Sequence, residues 1–167
     1  MVRHPGLFLA IATFLLCNGV MATEAQSGKP APDCKLQPVG GGPTSELLKQ
    51  YRGKPVYLDF WASWCGPCVQ SFPFMNTLNK DYKAKGLEVV AVNLDENPDE
   101  AKAFLAKTPA QFTVLADTSG QCPQDFGVQA MPSSYLIDRN GVVRHVHLGF
   151  KAGETADLKK QIETVLK

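Results

Sequence analysis

The segment that decides the fold runs Val56-Tyr57-Leu58-Asp59-Phe60-Trp61-Ala62-Ser63-Trp64-Cys65-Gly66-Pro67-Cys68. Its first part, residues 56–60, is a short apolar run rich in strand formers, and residues 69–82 after it favour a helix. A Cys-x-x-Cys pair that leaves a strand and opens a helix favours redox chemistry over metal binding. The free N–H groups and positive dipole end of such a helix favour a thiolate over a thiol at Cys65.

Strands and helices are predicted to alternate on both sides of this segment. The Asn140-Gly141 pair predicts the turn of a β-hairpin, and an apolar stripe predicts an amphipathic last helix. The resulting order is that of an α/β fold, in which helices flank a central mixed β-sheet on both faces. The predicted strands are 56–60, 87–94, 112–115, 134–138 and 142–148, and the predicted helices are 44–51, 65–85 (with Pro73 inside it), 98–107, 123–126 and 155–167.

Composition limits the range of partners. The chain has 167 residues, 44% of them hydrophobic, which suits one domain with a normal core. Its 17 basic and 16 acidic side chains give a net charge of +1, so nothing predicts binding to nucleic acid or to an anionic membrane surface.

The N-terminal residues have a composition of their own. Arg3 and His4 precede an apolar stretch, 7–17, that is shorter than the roughly 20 residues of a spanning helix. Small-residue spacing at 20–22 predicts a secretory signal peptide, 1–22, and hence a periplasmic or otherwise extracytoplasmic protein without a membrane span after cleavage. Lipidation at Cys17, or an uncleaved N-terminus that anchors the protein, are the alternatives. We assign 23–43 to a Gly/Pro-rich tether and entry segment, and 44–167 to the domain.

Cleavage after residue 22 would leave four of the five cysteines. If Cys65 and Cys68 form the redox pair, Cys34 and Cys122 remain, and an exported chain permits a structural disulfide between them. The alternative is two unrelated buried thiols, since Cys packs readily as a small hydrophobic residue. Both interpretations stay open at the level of sequence.

Five motifs occur in an order that is typical of one superfamily. They are residues 60–68, Pro73 five residues after Cys68, and the runs 90–95, 127–132 and 135–141. Over residues 31–167 the chain resembles the thioredoxin superfamily and, within it, the exported TlpA/ResA-type thiol-disulfide oxidoreductases of bacteria. The resemblance implies a thioredoxin-like fold with the extra helix and strand of the TlpA branch at 98–115, and a cis peptide bond between Met131 and Pro132.

The resemblance also implies the chemistry. Cys65 attacks a protein disulfide and Cys68 resolves the mixed disulfide. A membrane electron donor of the CcdA/DsbD kind would recharge the pair, and we expect a monomer that needs no metal and no cofactor. The residues expected to contact the substrate are Trp64, Gly66, Pro67, Met131 and Pro132.

Three departures from the family pattern favour a broad reductase over a cytochrome-specific one. Asp59 stands where many TlpA-like domains have Asn, Ser71 stands where cytochrome-maturation members have Glu, and the run 90–92 lacks the lysine of thioredoxin. Burial in an apolar strand raises the pKa of a carboxyl. Asp59 is therefore the expected base for the Cys68 thiol; the alternative is a buried Asp held by structural hydrogen bonds.

Other functions remain as alternatives. His145 and His147 alternate on one strand, so with the cysteines they could form the copper site of a metallochaperone, although a half-exposed strand face explains them as well. A disulfide-stapled interaction module with a vestigial Cys-x-x-Cys is a second alternative, and a disulfide oxidase of the same fold is a third.

Overall fold

The structure is a computed structural model that describes Met1 and residues 25–167. Apart from Met1, the predicted signal peptide lies outside the described residues, and so do Arg3, His4 and Cys17. No helix among the described residues is both long enough and apolar enough to cross a membrane.

Seven strands form one mixed sheet in the order β2-β1-β5-β4-β3-β6-β7. The central strands β3, β4 and β5 are parallel, and the remaining neighbours pair antiparallel. Helices lie between the parallel strands, as the alternating sequence pattern predicts. The strands are β1 (Lys35–Pro38), β2 (Ser45–Glu46), β3 (Val56–Trp61), β4 (Glu88–Asn93), β5 (Thr113–Ala116), β6 (Ser133–Ile137) and β7 (Val143–Leu148).

The helices follow the order that the sequence predicts, but the one predicted at 44–51 is reduced to Leu47–Gln50, because residues 45 and 46 pair with β1 as strand β2. The helix predicted at 65–85 is shorter: Cys65 is its N-cap, and it gives way to the 3-10 turn Lys83–Lys85 before Gly86, whose φ is 97°. Pro73 lies on the exposed side of this helix, where the carbonyl that loses its N–H partner can meet water. The helices are α1 (Leu47–Gln50), α2 (Gly66–Tyr82), α3 (Pro98–Lys107), α4 (Gln121–Phe126) and α5 (Thr155–Leu166), with a further 3-10 turn at Ala152–Glu154.

The alternation of β3 divides the core into two faces. Val56, Leu58 and Phe60 pack on the face that holds α1 and α4. Tyr57 and Trp61 pack on the opposite face, against α2, α3 and α5.

The extra helix α3 packs against the end of β3 and the first turns of α2. Its Phe104 ring lies 4.9 Å from the Trp61 ring and 5.0 Å from the Phe72 ring, centroid to centroid. Trp61 and Phe72 themselves meet edge to face at 4.9 Å. Each such pair contributes about 0.5–1.5 kcal/mol beyond the area that it buries. The insertion therefore supports the residues around the two cysteines.

The entry segment contributes to the sheet and the core. Strand β1 pairs with both β2 and β5, and Pro30 forms a bridge with Val142. Cys34 and Leu36 are buried on the same face as Phe60. The segment therefore contacts the sheet on both sides, because Pro30 lies beside the start of β7 while β1 lies between β5 and the edge strand β2.

Candidate active site

The two cysteines of the central motif lie where β3 ends and α2 begins. They form a disulfide with an S–S distance of 2.04 Å. Cys65 caps α2, and its Sγ accepts a hydrogen bond from the Cys68 backbone N–H at 3.3 Å. Cys65 keeps 6% of its surface exposed, whereas Cys68 keeps none. Cys65 is thus both the accessible sulfur and the one that the helix terminus would stabilise as a thiolate.

Gly66 and Pro67 open the helix between the two sulfurs. Proline suits the first turn of a helix because an N–H at that position would have no intrahelical partner, so its absence costs no hydrogen bond. Both residues are exposed, and Trp64 before them is 69% exposed. Together they form the rim of the disulfide, which is compatible with the predicted substrate contacts.

The loop between β3 and Cys65 is held by the end of β4. The Ser63 N–H donates to both oxygens of the Asp95 carboxylate, at 3.0 and 3.1 Å, and the Ser63 hydroxyl donates to the same group. Asn93 fixes this carboxylate through its side-chain amide at 2.9 Å. Sequence analysis placed residues 93–95 in a family motif but assigned them no role. The structure shows that they anchor the loop that presents Cys65.

Asp59 is a buried carboxyl on the face of the sheet that carries α2. It is 1% exposed, and its Oδ1 accepts a hydrogen bond from the Ser134 hydroxyl at 2.6 Å. Its Oδ2 is buried and has no hydrogen-bond partner among the described residues. Burial raises the pKa of Asp59 to about 7, and the bond from Ser134 opposes the rise.

The strands beside Asp59 offer it little polar contact. In the register of the sheet, Asp59 pairs with Ala91 on β4 and with Ser134 on β6. Tyr57, two residues before it, donates its hydroxyl to Ser134 at 3.0 Å, and burial is the main reason that the pKa of Tyr57 is raised. Ser134 was not identified from the sequence, because only the strand register reveals its place opposite Asp59.

The Met131–Pro132 peptide bond is cis. The Pro132 carbonyl accepts a hydrogen bond from the Gly149 N–H at 2.8 Å, so the end of β7 holds the start of β6. Met131 is half-buried and packs against the cluster that contains Cys65 and Cys68. The structure thus brings Met131 to the same apolar cluster as the disulfide.

A second disulfide joins the entry segment to α4. Cys34 and Cys122 have an S–S distance of 2.03 Å and are 3% and 2% exposed. They belong to the core on the face opposite to Cys65. The Asp117 carboxylate accepts the Cys122 N–H at 2.9 Å. A negative charge there disfavours a thiolate, and buried thiols without a cationic neighbour are usually inert.

His145 and His147 lie on one face of β7, with ring centroids 6.4 Å apart. His147 Nε2 lies 3.4 Å from a Glu154 carboxylate oxygen but lacks the geometry of a hydrogen bond. Desolvation is the main reason that the pKa of His147 is lowered. Within residues 25–167 and Met1, no three His, Cys, Asp or Glu side chains are grouped so that they could hold a metal ion.

Comparisons with known proteins agree with this geometry. The Redoxin family model matches residues 26–165. The thiol-disulfide oxidoreductase ResA of Bacillus thuringiensis subsp. konkukian (strain 97-27) is 34% identical over 178 residues, which cover 100% of this chain and 98% of that protein. The thioredoxin-like protein YneN of Bacillus subtilis (strain 168) is 35% identical over 141 residues, 83% of this chain and 81% of that protein.

The fold also matches a solved structure closely. The crystal structure described as a thiol:disulfide interchange protein DsbE from Chlorobium tepidum superposes with a TM-score of 0.81 at 49% identity, and the match covers 86% of this chain and all of that one. The chain therefore belongs to the Redoxin family, and it is a thiol-disulfide oxidoreductase of the ResA/TlpA type within the thioredoxin superfamily.

Proposed function

We propose that the protein is an extracytoplasmic disulfide reductase that works through Cys65 and Cys68. The observation that carries the proposal is the asymmetry of the pair, because Cys65 caps α2 and keeps 6% of its surface exposed while Cys68 keeps none. The Cys65 thiolate attacks a client disulfide, forms a mixed disulfide and releases one client thiolate. Cys68 then attacks Cys65 Sγ, which closes the protein disulfide and releases the second client thiolate. Two electrons thus pass from the protein to the client.

Asp59 is the proposed base of the second step. Cys68 is buried and must lose its proton as it attacks, and Asp59 is buried on the same side of the sheet. A pKa of about 7 lets this carboxyl accept a proton and return it near neutral pH. In the next cycle a donor supplies two electrons, Cys65 is restored as a thiolate, and Asp59 returns its proton to Cys68. We propose a membrane protein of the CcdA/DsbD kind as that donor.

The proposed compartment follows from the second disulfide and the N-terminal sequence. A buried structural disulfide such as Cys34–Cys122 persists in oxidising compartments and is rare in the cytosol. Residues 1–22 carry the pattern of a secretory signal. The exposed Trp64, the half-buried Met131 and the cis Pro132 beside it are the proposed contact surface for an extended client segment.

Two measurements test the proposal. Cys68→Ser is expected to accumulate mixed disulfides with client proteins, because the attacking thiol remains and the resolving thiol is gone; Cys65→Ser is expected to accumulate none. Trapping by Cys65→Ser alone would reverse the two roles. The reduction potential of the pair, measured in glutathione buffers by Trp fluorescence, is expected near the thioredoxin value of about −270 mV. A potential above about −150 mV would assign the protein as an oxidase instead.

A further inference from the structure

We infer that Ser134 is a positioning residue for the resolving step: its hydroxyl holds one oxygen of the Asp59 carboxyl and leaves the other free for the Cys68 proton. The inference rests on the proposed function and deepens it. Ser134 lies on β6 directly opposite Asp59, is 3% exposed, and its Oγ is 2.6 Å from Asp59 Oδ1.

The hydrogen bonds around Ser134 run in one direction. The Tyr57 hydroxyl donates to Ser134 Oγ at 3.0 Å, and Ser134 donates to Asp59 Oδ1. A serine hydroxyl has a single proton. Because Tyr57 supplies a donor, the Ser134 proton is left for the carboxylate. These two hydrogen bonds therefore fix Oδ1 as the Asp59 oxygen that accepts from Ser134.

The other oxygen is what the reaction needs. Asp59 Oδ2 is buried and has no hydrogen-bond partner among the described residues. An unpaired buried acceptor is costly, so native proteins rarely retain one without a use for it. A proton on Oδ2 makes the carboxyl neutral and removes the larger cost of a buried charge. The free oxygen is thus the place where the proton of Cys68 can go.

The proton and electrons balance in this step. The Cys68 thiol gives its proton to Asp59 Oδ2, and its sulfur attacks Cys65 Sγ in the mixed disulfide. The Cys65–Cys68 bond forms, the bond from Cys65 to the client sulfur breaks, and the client leaves as a thiolate with the electron pair. Asp59 ends the step as a neutral carboxyl, still holding the Ser134 bond through Oδ1.

In the part of the chain that the structure describes, few titratable groups share a core cluster or a strand register with Asp59. Strand β4 presents Ala91 in its register, and α3 and α5 present apolar side chains to this core. Among the described residues, the titratable groups of this core cluster are Tyr57 on β3, Cys65 and Cys68 at the start of α2, and Tyr82 at the end of α2, whose hydroxyl donates to Glu163 on α5. His147 on β7 lies one strand beyond Ser134. His147 therefore has to be controlled when a pH profile is assigned to Asp59.

A matched pair of variants isolates the hydroxyl. Ser134→Thr keeps it, and Ser134→Val replaces it by a methyl group of nearly the same shape. The reduced protein is mixed with a chromogenic aromatic disulfide, dithiobis-nitrobenzoate. Release of the first chromophore reports attack by Cys65 and depends on reagent concentration. Release of the second reports resolution by Cys68 and does not.

The expected result concerns the second phase alone. A hydrogen bond to a charged group favours the ionised form, so its loss raises the pKa of Asp59 further. In Ser134→Val the pH at which the second-phase rate constant reaches half its maximum is expected to rise by about one unit. At neutral pH this rise slows the second phase about fivefold. Ser134→Thr is expected to follow the wild type, and so is His147→Gln. Tyr57→Phe is expected to shift the midpoint less, because Ser134 still donates.

The outcomes separate the inference from the proposed function. If the second-phase rate of Ser134→Thr and Ser134→Val depended on pH in the same way, the positioning role of Ser134 would be overturned. The first phase serves as the check on folding, and Ser134→Ala gives a smaller variant in which the same shift is expected. A first phase that persists in the Cys65→Ser variant would instead overturn the proposed function, whatever the Ser134 variants show.

Discussion

At the scale of single residues, the proposed mechanism depends on one buried carboxyl. Asp59 is charged above its pKa of about 7 and neutral below it, whereas an unfolded Asp is charged above about pH 3.9. Below about pH 3.9 both states hold the proton, and above about pH 7 neither does. Between these limits only the native state holds it, so the free energy of unfolding falls as the pH rises.

We predict that Asp59→Asn removes this pH dependence. Relative to the variant, the wild-type oxidised protein is expected to lose up to about 4 kcal/mol of unfolding free energy between pH 4 and 8. Urea denaturation across that range measures the difference. The same variant is expected to slow the resolving step about 100-fold at neutral pH, since water can partly replace the base.

The control for this prediction is Asp157→Asn on α5. The side chain of Asp157 is 77% exposed, so the loss of its charge is expected to change neither the pH slope nor the resolving rate. Equal pH slopes for the wild type and Asp59→Asn would show that Asp59 does not titrate in this range. An unchanged resolving rate would remove it from the mechanism.

Predictability differs between these residues for a physical reason. A carboxyl inside the apolar run 56–60 is visible in the sequence, because desolvation depends on its immediate neighbours. Ser134 and Asp95 are not visible as site residues. They lie 75 and 32 positions from their partners Asp59 and Ser63. Only the strand order and register bring such partners together.

At the scale of elements, the site depends on how the loop before α2 is held. The Asp95 carboxylate accepts from three donors, the Ser63 N–H, the Ser63 hydroxyl and the Asn93 side-chain amide, and it is half-buried. We predict that Asp95→Ala lowers the free energy of unfolding by about 2 kcal/mol, because three donors lose their acceptor. Chemical denaturation tests this. Glu96→Ala, an exposed neighbour, is the matched control and is expected to stay within about 0.5 kcal/mol of the wild type.

The elements themselves were largely predictable. Long periodic segments such as α3 and α5 carry their own signal, and the helix predicted at 98–107 coincides with Pro98–Lys107. The short strands β1 and β2 were not specified, because four and two residues among Gly and Pro show no period. Their place is set by pairing with β5 and by the Cys34–Cys122 bond.

At the scale of the whole molecule, the sheet separates two disulfides with opposite surroundings. Cys65–Cys68 spans 3 positions and lies at a helix start with an accessible sulfur. Cys34–Cys122 spans 88 positions and lies in the other half of the core beside the Asp117 carboxylate. A bond that closes a long loop restricts the unfolded chain most. We therefore expect Cys65–Cys68 to carry the exchange and Cys34–Cys122 to stabilise the fold.

The double variant Cys34→Ala/Cys122→Ala separates these two tasks. It is expected to lose roughly 2–4 kcal/mol of unfolding free energy, since the unfolded chain gains the freedom of the open loop and β1 loses its tie to α4. Its reduction potential and its resolving rate are expected to match the wild type, because the two pairs belong to different core clusters. Denaturation of the oxidised proteins, followed by equilibration in glutathione buffers, measures both quantities. A variant that kept full stability would show that packing alone holds the entry segment. A shifted potential would show instead that the second pair is coupled through the sheet to the reactive one.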